Sequence, residues 1–186
     1  MSDRLDREAW TRAALDAFEA GGPAGVAVVP LARSLGVTRG SFYWHFESRD
    51  ELLEAALELW EHEHSDAILE SLQAMPDPRD RLDALGRAAT GKPPSIFIQL
   101  LRAADDPIVA RVLGQASQRR LDVLARAYRD SGLTPAAARR RALIAYAQYV
   151  GLAFLLAEDP ALLADERARA AYARELATVL APDSES

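Results

Sequence analysis

The chain has 186 residues, enough for one substantial core or two small ones. It contains no cysteine, which excludes disulfides and thiolate metal sites. Its 28 acidic residues outnumber 22 basic ones, and the net charge of −6 argues against indiscriminate nucleic-acid binding.

From Leu5 to Ala20, the pairs Ala9/Trp10, Ala13/Ala14 and Ala17/Phe18 recur at helical spacing, and Gly21-Gly22-Pro23 ends the run. Residues 26–29 are rich in valine, but Pro30 and the short length favour an extended entry into a second helix, with Pro30 in its first turn. Gly36 ends that helix in the left-handed conformation. Thr38 is expected to cap a second short helix, its hydroxyl accepting from an orphan backbone N–H. The result is helix, tight glycine turn, helix: a helix-turn-helix whose second helix can enter a major groove.

Phe42 and Phe46 share one face of that second helix and should pin it to a small core. Arg39, Gly40, Ser41, Tyr43, Trp44 and His45 are left to the outer face or its edges. An exposed Tyr-Trp-His run costs apolar hydration and is poorly explained as a solvated face. Arg39 and Ser41 suit base edges or phosphates, Gly40 allows close backbone approach, and Arg49 suits a phosphate. Ser48 and Glu51 form a capping box for the next helix.

This segment resembles the TetR family of bacterial transcriptional regulators. The resemblance rests on Leu31-Ala32, Leu35-Gly36-Val37, Gly40 through Phe46, Arg49 and Leu52-Leu53, and covers the first third of the chain. It implies an all-α protein with a three-helix head at residues 1–49, its helix-turn-helix at about 27–46. A helical ligand-binding and dimerisation domain at 50–182 would follow. It implies a repressor that leaves its operator when a small molecule binds. Thr38, Arg39, Gly40, Ser41, Tyr43, Trp44, His45 and Arg49 would contact double-stranded DNA. The chain departs from the family at Ala27, where Ser or Thr often caps the second helix. Residues 1–54 also hold nine acidic groups against six basic ones, which counts mildly against DNA binding. Near the groove, however, Arg33, Arg39 and Arg49 oppose the single Glu47.

Asp50 to Ala74 has the apolar period of one long helix, stopped by Pro76-Asp77-Pro78. Short helices follow at 79–89 and 95–105, and a longer one runs from Asp106-Pro107 to about Ser131. Thr134-Pro135 opens a helix through Ala157, and Asp159-Pro160 caps a last one to Leu180. No stretch reaches the roughly 18 uninterrupted apolar residues of a membrane span, and the charged N-terminus does not read as a signal peptide. A cytoplasmic protein without a membrane partner is expected.

Trp60, His64, Phe97, Leu101, Tyr128, Tyr146 and Tyr149 are candidates to line a pocket for a small hydrophobic ligand, although the same residues would also make an ordinary core. His62 and His64 point to nearly opposite sides of a helix, so no shared metal is expected, nor any cofactor. Leu143, Ala147, Val150, Gly151, Phe154, Tyr172 and Leu176 lie on the last two helices. In a TetR-like chain these helices pair with their twofold mates, making a homodimer that reads an inverted repeat. Neither a cysteine nucleophile, a glycine-rich phosphate loop nor a recognisable Ser/His/Asp spacing is present, so no enzymatic activity is expected. A small-molecule-binding dimer with little DNA affinity is the alternative, favoured by the acidic head and Ala27.

Overall fold

A computed structural model of the chain describes residues 6–63, 74–89 and 95–181. These residues are helical, without strands. The helices are α1 (Arg7–Gly25), α2 (Val28–Ser34), α3 (Arg39–Phe42), α4 (Arg49–Glu61), α5 (Pro78–Ala89), α6 (Ser95–Arg102), α7 (Pro107–Asp130), α8 (Pro135–Glu158) and α9 (Glu166–Leu180), with a 3-10 turn at Pro160–Leu163. Among the described residues no helix is long and apolar enough to cross a membrane.

Local chemistry sets most boundaries. Asp6 caps α1 by accepting from the Ala9 amide at 2.9 Å. Asp106 Oδ1 caps α7 through the Ile108 and Val109 amides at 2.9 and 3.2 Å. Thr134 caps α8 through the Ala137 amide, with Pro135 in the first turn. Two helices end in the same six-to-one motif. After α2, Gly36 sits at φ +70° while Val37 N–H reaches Ala32 C=O at 2.9 Å. After α7, Gly132 sits at φ +106° and Leu133 N–H reaches Tyr128 C=O at 3.2 Å.

The helical backbone breaks at Gly21-Gly22 as expected, both glycines having non-helical φ/ψ, and a separate turn follows to Gly25. Three expectations change. The second helix of the helix-turn-helix is only four residues long; Tyr43 to His45 continue it as turn, with Phe46 N–H still reaching Phe42 C=O at 3.0 Å. Thr38 occupies the N-cap position in extended backbone, but its hydroxyl makes no cap bond; its carbonyl accepts from the Ser41 amide and hydroxyl at 3.1 and 2.8 Å. The single last helix is two elements. Asp159 opens the 3-10 turn through the Ala161 amide, and Asp165 opens α9 through the Ala168 amide at 2.7 Å. Two competing caps six residues apart explain the break. The expected continuation of α4 toward Ala74, and His64 with it, lies outside the described residues.

The described residues divide into two compact units. The first comprises 6–63 and 95–116. Its core contains Trp10, Phe18, Phe42, Phe46, Leu53 and Trp60, all at most 2% exposed, with Phe97, Leu100 and Val109 buried as well. Arg111 pairs with Glu54 at 2.5 Å, joining α7 to α4 within this unit. The second unit comprises 74–89 and 117–181. Its core is built of small side chains: Ala125, Ala138, Ala142 and Ala145 pack around Tyr128, flanked by Leu82, Leu124, Leu133 and Leu180. Arg81 pairs with Asp130 at 2.7 Å and also donates to Met75 C=O.

Candidate nucleic-acid interface

The helix-turn-helix presents one buried and one exposed side. Leu31 and Ala32 bury α2, and Phe42 and Phe46 bury the α3 segment. Phe42 meets Trp10 edge-on at 5.4 Å and stacks on Phe46 at 5.7 Å. That leaves Thr38, Arg39, Gly40, Tyr43 and Trp44 exposed, with Ser41 and His45 half-buried. Trp44 is 70% exposed and Tyr43 53%. A Cβ at Gly40 would meet Thr38 Oγ1 at an ordinary 3.7 Å, so the fold itself does not demand glycine there. The missing side chain instead clears space on the outer face.

Arg39 is oriented by its neighbour one turn on. Its Nη2 donates to the Tyr43 hydroxyl at 3.2 Å, and its Cζ lies 5.9 Å from the Tyr43 ring centroid. Arg33 is exposed on α2. Arg49 behaves differently. Its guanidinium donates to Pro23 C=O and Val26 C=O and pairs with Asp50 at 3.0 Å. It therefore ties the start of α4 to the last turn of α1 and to Val26 just after it, a job the sequence did not announce.

Sequence reasoning also missed Arg7 and the second role of Glu51. Ser48 Oγ accepts from the Glu51 amide at 3.1 Å, as a capping box requires. The return contact, however, goes to the Glu47 amide at 2.7 Å, and the other Glu51 oxygen takes Arg7 at 2.9 Å. The Glu47 amide first, then Arg7, holds the Glu51 carboxyl below the ordinary carboxylate range. A carboxylate held low contributes stability at neutral pH that disappears as pH falls through the lowered value. Glu51→Gln should therefore flatten the acid limb of unfolding, slightly because the group is exposed. Acid titration followed by circular dichroism checks this. Arg7 stands one turn before Trp10 on the stripe that continues to Ala14 and Phe18, which was the available signal.

A match to the family described as bacterial regulatory proteins, tetR family, spans residues 11–56, which contain both α2 and α3. The head is a TetR-family head. Over 50 residues the chain is 44% identical to the HTH-type transcriptional regulator SrpR of Pseudomonas putida. That match covers 27% of this chain and only 24% of the relative. Beyond the TetR-type head the similarity is one of fold. The reduced form of NemR from E. coli aligns at TM-score 0.79 and 17% identity, over 96% of this chain and 98% of that one. AibR in complex with isovaleryl coenzyme A and operator DNA aligns at TM-score 0.66 and 17% identity, over 95% and 98%.

The residues expected around a ligand fall in both units. Trp60 and Phe97 are buried and Leu101 half-buried in the first. In the second, Tyr146 and Tyr149 have ring centroids 6.2 Å apart, and the Tyr146 hydroxyl bonds Ser117 Oγ at 2.9 Å. Burial raises the Tyr128 and Tyr149 hydroxyls above the ordinary tyrosine value, with Arg141 and Arg120 respectively pulling back. The second unit also holds the residues expected at a twofold interface. Leu143, Ala147, Gly151 and Phe154 are exposed along α8. Val150, Tyr172 and Leu176 are half-buried, and Tyr172 accepts from Gln148 Nε2 at 3.0 Å.

Proposed function

We propose that the protein is a DNA-binding transcriptional regulator, a repressor released from its operator by a small molecule. The observation that carries this reading is the α3 segment: Phe42 and Phe46 are buried while Arg39, Tyr43 and Trp44 stand exposed beside them. Residues 1–49 read the groove, and 50–182 bind the ligand and pair with a second copy. SrpR is named a transcriptional regulator, and AibR carries both operator DNA and an acyl-coenzyme A, which supports a ligand-responsive role. Selection from a pool of random duplexes followed by gel shift tests it; a protein that enriches no sequence is not a sequence reader. That outcome would favour a ligand-binding dimer of the same fold. The acidic head speaks for that alternative, as does Ala27, which gives α2 no side-chain cap.

Arg39→Ala should cost roughly 1–3 kcal/mol on the selected duplex if the guanidinium reads guanine in two places. Tyr43→Phe keeps the ring and removes the hydroxyl that holds Arg39. A double-mutant cycle should then show a coupling of about 0.5–1.5 kcal/mol. Strict additivity would mean that the two residues contact DNA independently.

A further inference from the structure

One guanidinium joins three helices of the head at the exit from α3. Arg7, the first residue of α1, donates from Nη1 to the His45 carbonyl and from Nη2 to Glu51 Oε1 at 2.9 Å. Its Cζ lies 4.2 Å from the centroid of the Phe46 ring. Glu51 completes the circuit through Oε2, which accepts from the Glu47 amide at 2.7 Å. Residues 45, 46 and 47 are therefore each held by some part of one ion pair. The helix before them has four residues and too few internal bonds to fix its own direction. The side chains from Arg39 to Tyr43 hang from this segment.

We propose that Arg7 is a positioning residue for DNA readout: the Arg7–Glu51 pair sets the direction in which α3 leaves the head. This role rests on the DNA-binding reading above. Arginine suits it because one planar fork serves two acceptors while its face lies on a ring. A lysine would keep the charge and lose both the fork and the stack. The Arg7 side chain is 51% exposed and that of Glu51 35%, and exposed pairs add little to stability. The consequence should therefore appear in selectivity for DNA and in local opening, with little change in melting temperature.

The test compares Arg7→Lys and Glu51→Gln with the parent protein, after circular dichroism establishes that each is folded. The probes are a duplex enriched by the parent from a random pool and an unselected duplex of equal length. Both variants should lose about tenfold affinity for the enriched duplex and less than about twofold for the other. The salt slope should not change, since no phosphate contact is removed. In the DNA-free variants, amide exchange at residues 43–47 should accelerate while α1 and α4 stay protected. A parallel loss on both duplexes, with a slope shallower by about one unit when Arg7→Ala removes the charge, would make Arg7 a phosphate contact and overturn the proposal. Unchanged selectivity in the variants would overturn this role alone, whatever the exchange rates. A parent that enriches no duplex would overturn the DNA-binding reading and this role with it.

Discussion

Phe42→Ala is expected to destabilise the head by about 3–5 kcal/mol, the range for emptying a phenylalanine site in a packed core. Phe42 is 1% exposed and touches rings on three sides: Trp10 at 5.4 Å, Tyr43 at 5.1 Å and Phe46 at 5.7 Å. It is also the one buried side chain of α3. A four-residue helix cannot persist on backbone bonds alone, so losing this anchor frees Arg39 and Tyr43 as well as creating a cavity. Natural domains have roughly 5–15 kcal/mol in total, so the loss should leave the head marginal and DNA binding absent. Phe42→Leu refills part of the space and should cost less. Urea unfolding followed by tryptophan fluorescence measures both, because Trp10 lies against the substituted ring. A midpoint for Phe42→Ala equal to that of Phe42→Leu would mean that α3 is held by something other than this packing.

The features legible in the sequence were those encoded within a turn or two of chain. Ser48, Thr134 and Asp106 cap the helices they were expected to open, because a cap bond joins residues two or three apart. The Phe42/Phe46 pair reads as an inward face for the same reason. Thr38 shows the limit of such reasoning. Its position was right and its hydroxyl bond was absent, since Ser41 satisfies the Thr38 carbonyl and the α3 segment is already fixed from below by phenylalanines. The break before α9 was missed because Asp165 carries an ordinary helix-compatible surface residue's signal until its amide partner is known. Arg7 and Arg49 were the least legible. Their partners lie 38, 44, 26 and 23 residues away, and no local pattern announces which carbonyl a long side chain will find. The second unit was hard for another reason. Its core is mostly alanine, so its helices lack the bulky stripe that would mark an inner face.

Phe154→Glu is expected to abolish binding to an inverted repeat while leaving the single chain folded. Phe154 is 47% exposed, so a carboxylate there meets water in the isolated protomer and should change its stability by less than about 0.5 kcal/mol. The exposed large apolar residues among the described part fall into two groups. Val29, Tyr43 and Trp44 belong to the helix-turn-helix; Leu143, Ile144, Phe154, Leu155, Leu162 and Val179 lie from α8 to α9. The second group has no DNA to explain it. Leu143, Ala147, Gly151 and Phe154 recur at helical spacing on α8, with Gly151 permitting close approach. A stable pair needs roughly 800 Å² per partner, and these exposed apolar side chains are the surface that a second copy would cover in the proposed dimer. One helix-turn-helix buries too little for tight specific binding, so in the proposed dimer two heads about 34–36 Å apart would act together on successive major grooves. A buried, unpaired carboxylate at position 154 would cost several kcal/mol in the pair and almost nothing outside it. Sedimentation and gel shift on the enriched duplex should therefore fail together, with circular dichroism unchanged. A parent protein that sediments as a monomer at micromolar concentration, yet binds the repeat as tightly as it binds any half-site, would sink the twofold model.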